Sequence, residues 1–142
     1  MPSLTEDLVA AFGDRSLPKE QWTHEAHLRV GLWHLLHHSP DDALALVRQR
    51  IIAYNEAVGV ENSDSSGYHE TITRFFLHEI SRFLRTADGR RPIDDLAAEL
   101  IQWLGDKDTP LHYYSRARLM SVEARRTWVE PDLRPLPSCN TG

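Results

Sequence analysis

Apolar residues in this chain return at intervals of three and four, in runs bracketed by helix-start and helix-stop signals, and that periodicity points to helices throughout. Leu4, Leu8, Val9 and Phe12 share one face behind Ser3, which forms a capping box with Glu6, and Gly13 closes the run. Thr23 stands as N-cap before a second run from His24 to His38. Ser39 and Pro40 then restart the chain as cap and first helical residue of a third helix, which reaches about Ala57 with Leu44, Val47 and Ile51 inward. A polar, glycine-bounded loop from Gly59 to Gly67 precedes a fourth helix over Tyr68 to Leu84. Pro92 opens a fifth, where Ile93, Leu96, Ala97, Leu100, Ile101 and Leu104 repeat up to Gly105. Beyond Pro110 the segments are short, no run alternates with period two, and nothing repeats internally. The expected fold is all-α: one helical domain over 1–133, a bundle of about five main helices with an irregular C-terminal wrap, then a polar, proline-containing tail over 134–142.

Length and charge narrow the function classes. At 142 residues the chain fits one domain. Sixteen Lys+Arg against twenty-one Asp+Glu give a net charge of −5, which disfavours nucleic-acid binding, carried as that is by basic contacts to phosphates. The apolar stretches fall short of the roughly 20 residues that cross a bilayer. The N-terminus lacks the basic-then-apolar order of a signal peptide, and Cys139 is alone, so no internal disulfide or cysteine metal site is expected. These observations predict a cytoplasmic protein without membrane or nucleic-acid partners.

The chemistry concentrates in histidine. Five of eight histidines lie between His24 and His38. On a helix His24, His27, His34 and His38 share one side with Gly31, whereas His37 faces elsewhere, toward solvent. Glu25 and Arg29, one turn apart, are placed to pair with each other. His24 and His27 occupy adjacent turns and can converge on one ion, although that spacing alone is a weak signal. In the fourth helix His69 falls amid Ile72, Phe76, Ile80 and Phe83, where an amphipathic helix would carry leucine. The tight Ser39-Pro40 turn makes the second and third helices antiparallel; if the third and fourth are too, the second and fourth run parallel. Their N-terminal ends then bring His24, His27 and His69 to one mouth of the bundle, an open site that can take one divalent ion (zinc, iron, manganese or nickel), since imidazoles alone do not choose.

Around that centre Glu70 is a candidate base or fourth ligand and Tyr68 a proton donor, while Thr73 can orient an imidazole or a substrate. Thr71 is expected to point outward and His78 to be exposed. In the C-terminal HYYSRARLMSVEARRTWVEPDL, Tyr114 and Arg116 read either as a lid, with Tyr114 donating a proton and Arg116 holding an anionic substrate group, or as part of a docking segment that plugs the bundle. A functional His69 predicts that His69→Leu keeps the fold while abolishing activity.

Three segments, WTHEAHLRV, GYHETIT and YYSRARLMSVEARRTWVEPDL, together resemble a family of small, largely uncharacterised all-helical bacterial proteins marked by aromatic-Thr-His-x-x-His-Leu and Tyr-His-Glu-Thr segments. The resemblance implies positions rather than a reaction: His24, His27, Tyr68, His69, Glu70 and Thr71, with Tyr114, Ser115, Ala124 and Arg125. Helical bundles holding a metal on three histidines are an architectural analogy only.

Two functions remain open at this point. One is a small enzyme acting on a small organic substrate through His24, His27 and His69, with or without a metal, Glu70 or Tyr68 moving protons. The other is a non-catalytic ligand-binding or structural module whose histidines form a buried polar network. No nucleotide, flavin or PLP motif is present.

Overall fold

The computed structural model describes residues 3–138; Cys139 and the end of the expected tail lie outside them. Five long helices, α1 (Leu4–Gly13), α2 (His24–His37), α3 (Pro40–Ala57), α4 (Glu70–Thr86) and α5 (Ile93–Leu104), are followed by two short ones, α6 (Arg116–Leu119) and α7 (Val122–Arg126). Single 3₁₀ turns at Lys19–Gln21 and Thr109–His112 complete the elements, and no strand occurs among the described residues. No described helix is long and apolar enough to cross a membrane. The fold is all-α. Ser3, Thr23 and Ser39 cap their helices as the sequence predicts, each accepting a backbone N–H with its hydroxyl.

Helix α2 is the axis of the bundle, packing against α1, α3, α4 and α5. On one side Val30 joins Val9, Phe12, Val47 and Tyr54. On the other, Leu28 and Leu32 join Ile80, Leu96 and Leu100. A helix with a core on each flank must be apolar nearly all round, which is how α2 reads. His24 meets Phe76, and Gly31, two turns on, meets Leu77 and Ile80, so α2 and α4 run in the same sense. A Cβ on Gly31 would come within 2.8 Å of Ile80 Cδ1, so the glycine sets how closely these helices approach.

Arg29 does not pair with Glu25. Its guanidinium instead donates to Thr5 Oγ1 at 2.6 Å and lies 3.6 Å from Asp94. Asp94 in turn accepts the backbone N–H groups of Leu4 and Thr5, so a carboxylate of α5 satisfies the first turn of α1. A tertiary contact displaced the local pair.

The C-terminal segment is a docking segment. Phe75, Tyr114, Leu119, Ala124 and Val129 form a third cluster on the far flank of α4. Burying α4 on both flanks corrects two expectations. Thr71 points inward: its hydroxyl donates to Thr127 O at 2.8 Å and accepts from Val129 N at 3.2 Å. His78 is half-buried, its Nε2 bonded to Pro137 O.

Candidate functional site

Between α2, α3 and α4 lies a cavity of about 400 Å³ with mainly aliphatic walls from Leu28, Val30, Val47, Ile51, Ile72, Leu77 and Ile80. Trp22 and Phe76 add aromatic surface, and Lys107, Asp108 and Met120 stand at its edge. Its polar and charged lining residues are His24, His27 and Thr73, with the exposed Lys107 and Asp108. An apolar chamber with a few convergent polar groups is the usual form of a small-molecule site, whose volumes run from roughly 300 to 1,000 Å³.

His27 is the distinctive residue. The Thr23 cap starts α2 so that His24 and His27 fall on one flank, and Trp22, just before the cap, supplies a floor. The His27 ring lies 3.9 Å from the Trp22 ring, which itself stacks on Phe12 at 4.4 Å. The Trp22 ring, tilted 31° to the imidazole, packs against it, and neither imidazole nitrogen makes a hydrogen bond among the described residues. The side chain is exposed where it lines the cavity. Desolvation by the neighbouring protein, with a smaller contribution from His24, holds its pKa down to about 4. His27 is therefore neutral at pH 7, with one N–H and one lone pair to offer.

His24 is more committed. Its Nε2 donates to Leu104 O at 2.9 Å and its ring meets Phe76 edge-on at 4.9 Å, leaving Nδ1 as its remaining nitrogen. Thr73 donates its hydroxyl to His69 O, one turn back, at 2.8 Å.

His69 does not line this cavity. It is the N-cap of α4: Nδ1 accepts from Ile72 N at 3.1 Å, and Nε2 donates to Leu119 O at 2.8 Å. One ring thus starts the helix and ties down the C-terminal segment. Burial lowers its pKa, with Arg125 acting in the same direction, so the neutral ring persists. With both nitrogens committed, it has none left for an ion. Among the described residues no group of three or more His, Cys, Asp or Glu side chains is placed to hold a metal.

Glu70 and Tyr68 belong to a separate polar cluster. Arg48 grips Glu70 with two hydrogen bonds, at 2.8 and 2.6 Å, and the Tyr68 hydroxyl donates to the same carboxylate at 2.7 Å. Burial alone would raise the Glu70 pKa, but Arg48 and Tyr68 hold it below the usual carboxylate range. Tyr68 is pushed up by burial and by Glu70. A clamped carboxylate and a phenol so reluctant to ionise are poorly suited to moving protons. Tyr114 is wholly buried and donates to Val129 O at 2.7 Å; burial, aided by Glu130, pushes its phenol up to about 12. Arg116 is exposed at the start of α6 and lines no part of the cavity.

Reading the sequence also missed His34. It is completely buried, its Nδ1 donating to Val30 O at 2.7 Å and its Nε2 accepting from Arg50 at 2.5 Å. Burial, offset in part by the Val30 bond and reinforced by the Arg50 charge, holds its pKa near about 4. The signal for Trp22 was its place directly before the cap; Arg48 and Met120 carried none.

Comparison of the chain with family models, curated proteins and solved structures gave no match.

Proposed function

We propose that this protein binds a small, largely apolar organic molecule in the cavity between α2, α3 and α4, with His27 supplying the hydrogen bond that orients it. The observation that carries this reading is a neutral imidazole packed against Trp22, whose two nitrogens make no hydrogen bond among the described residues and which lines an apolar chamber. The exposed imidazole can exchange a hydrogen bond to water for one to a ligand, whose apolar part gains by leaving water for the chamber. Thr73 and His24 Nδ1 add one or two further polar contacts and the exposed Lys107 and Asp108 also line the cavity, so the ligand is apolar over most of its surface.

Acid–base turnover on the same molecule is the second reading, favoured by the two imidazoles on one wall. Against it stands basicity: a group with a pKa of about 4 is a weaker base than one poised near neutrality, where general acid–base catalysis works best. A metal-centred form would rest on His24 Nδ1 and His27 without His69, and elemental analysis of untagged protein tests it directly.

The test of binding is a small-fragment library screened by ligand-observed NMR, with Trp22 fluorescence as the second readout. Hits that shift Trp22, Gly31 and Thr73 and vanish in His27→Leu support the reading. Hits that bind His27→Leu as well as they bind the native protein, or a library with no hit at the cavity, overturn it.

A further inference from the structure

A second cleft, of about 600 Å³, lies where α3, the loop after it, the start of α4 and α7 meet, and it shares no lining residue with the histidine cavity. Four guanidiniums, Arg48, Arg74, Arg125 and Arg126, line it against two carboxylates, Asp64 and Glu70. The excess is two positive charges, in a chain whose net charge is −5.

The four arginines are not equivalent. Arg48 is taken up by Glu70, and Arg126 by a two-bond pair with Asp64 at 2.7 and 2.6 Å. Arg125 uses Nη1 on the carbonyls of Gly67 and Tyr68, which secures the loop and leaves the rest of its fork. Arg74 makes no hydrogen bond among the described residues. It lies over the Trp128 ring at 5.1 Å, and its closest carboxylate oxygen, on Glu70, is 4.0 Å away. A guanidinium held by its face keeps its five N–H donors in plane and free, the arrangement that suits bidentate capture of an oxyanion.

From this geometry we infer that the cleft is a binding site for a phosphate dianion, free or as the monoester group of a small molecule, held by the in-plane N–H groups of Arg74 with the spare donors of Arg125 and Arg48. A dianion matches the surplus of two charges, and a tetrahedral group offers enough oxygens to meet more than one fork. Arg126 and Asp64 form the outer edge, so weakening their pair frees a further cation for the ligand.

The experiment titrates the full chain with inorganic phosphate and, separately, with phenyl phosphate, following backbone amide shifts and heat. Saturable binding centred on Arg74, Arg125 and Thr127 is expected. Arg74→Gln should weaken it at least about tenfold, the loss expected when a charge-assisted fork is removed. Asp64→Asn, at an exposed pair, should tighten it. Arg85→Gln removes the same charge from the same helix about 16 Å further along and should change nothing. Tighter binding of phenyl phosphate identifies a monoester as the ligand, and equal or tighter binding of inorganic phosphate identifies the free ion. The inference is overturned if neither probe saturates below about 50 mM, if Arg74→Gln binds like the native chain, or if Arg85→Gln loses as much as Arg74→Gln.

Discussion

His27 and His69 were marked by the same signal, an imidazole on the apolar side of a helix near its N-terminal end, and the fold gave them opposite roles. His69 has a backbone partner on each nitrogen and holds α4 to the C-terminal segment. His27 has Trp22 packed against it, a cavity beside it and no hydrogen-bond partner for either nitrogen among the described residues. A buried histidine with both nitrogens bonded contributes to stability, and an exposed one on a cavity wall without protein partners is open to a ligand. Partner count and exposure both separate the two, since His69 is buried and His27 is exposed.

Breaking His69 should have the largest effect. His69→Leu removes a helix cap and leaves Leu119 O without its donor, a combined cost of about 2–4 kcal/mol in denaturant unfolding. This reverses the expectation from the sequence that leucine would pack acceptably there, since the ring has two partners to lose. A variant whose unfolding midpoint matches the native protein's would erase the contrast with His27.

Acid should act on the satisfied side next. The folded-state pKa of His34, about 4, lies below the ordinary 6.5, so the neutral ring favours the folded state. Its contribution is complete above about pH 6.5 and is lost as pH falls toward 4, where the folded state also takes up the proton; the full loss is at most about 3 kcal/mol. Stability measured across that window should slope less in His34→Leu. An unchanged slope would remove His34 from the acid response.

His27→Leu should alter stability by no more than about 1 kcal/mol, because no hydrogen bond is lost and apolar surface is added to an apolar wall. It should abolish fragment binding at the cavity. Loss of several kcal/mol would mean that His27, like His69, is a structural residue. In the free protein the His27 titration followed by NMR should fall well below 6.5, and a ligand that hydrogen-bonds to its N–H should keep it low.

The smallest effect belongs to Gly31→Ala. The new methyl meets the flexible end of Ile80 at 2.8 Å and Leu77 Cδ2 at 3.3 Å, while the helix gains about 1 kcal/mol of propensity. Net stability should stay within about 1 kcal/mol, with weaker ligand binding as the cavity narrows. Equal binding in Gly31→Ala would place the ligand away from the contact between α2 and α4.

Much of the bundle was legible in the sequence, since caps and periodicity are local properties. Ser3, Thr23 and Ser39-Pro40 placed three helix starts correctly, and Pro92 and Gly105 bracketed α5. The start of α4 was displaced by two residues, because histidine is an uncommon cap and here its Nδ1 takes the role that a hydroxyl or carboxylate normally fills. Of the site residues, His24, His27 and Thr73 do line one cavity. His69, Glu70, Tyr68 and Tyr114 are near α4 but committed to other partners, and Arg116 stands apart at the surface.

The sequence by itself determined the helices, their caps, and which faces needed covering, because each follows from the spacing of residues a turn or less apart. It could not determine which flank of α4 the C-terminal segment would cover, and so misplaced Thr71 and His78. Nor could it pair Arg48 with Glu70, 22 residues apart, or bring Leu119 O to His69, 50 residues away. A polar side chain's role depends on who fills its hydrogen bonds, and those partners come from distant parts of the chain that only packing brings together. For that reason the tertiary structure alone decided that His69 holds the fold and that His27 faces an open chamber.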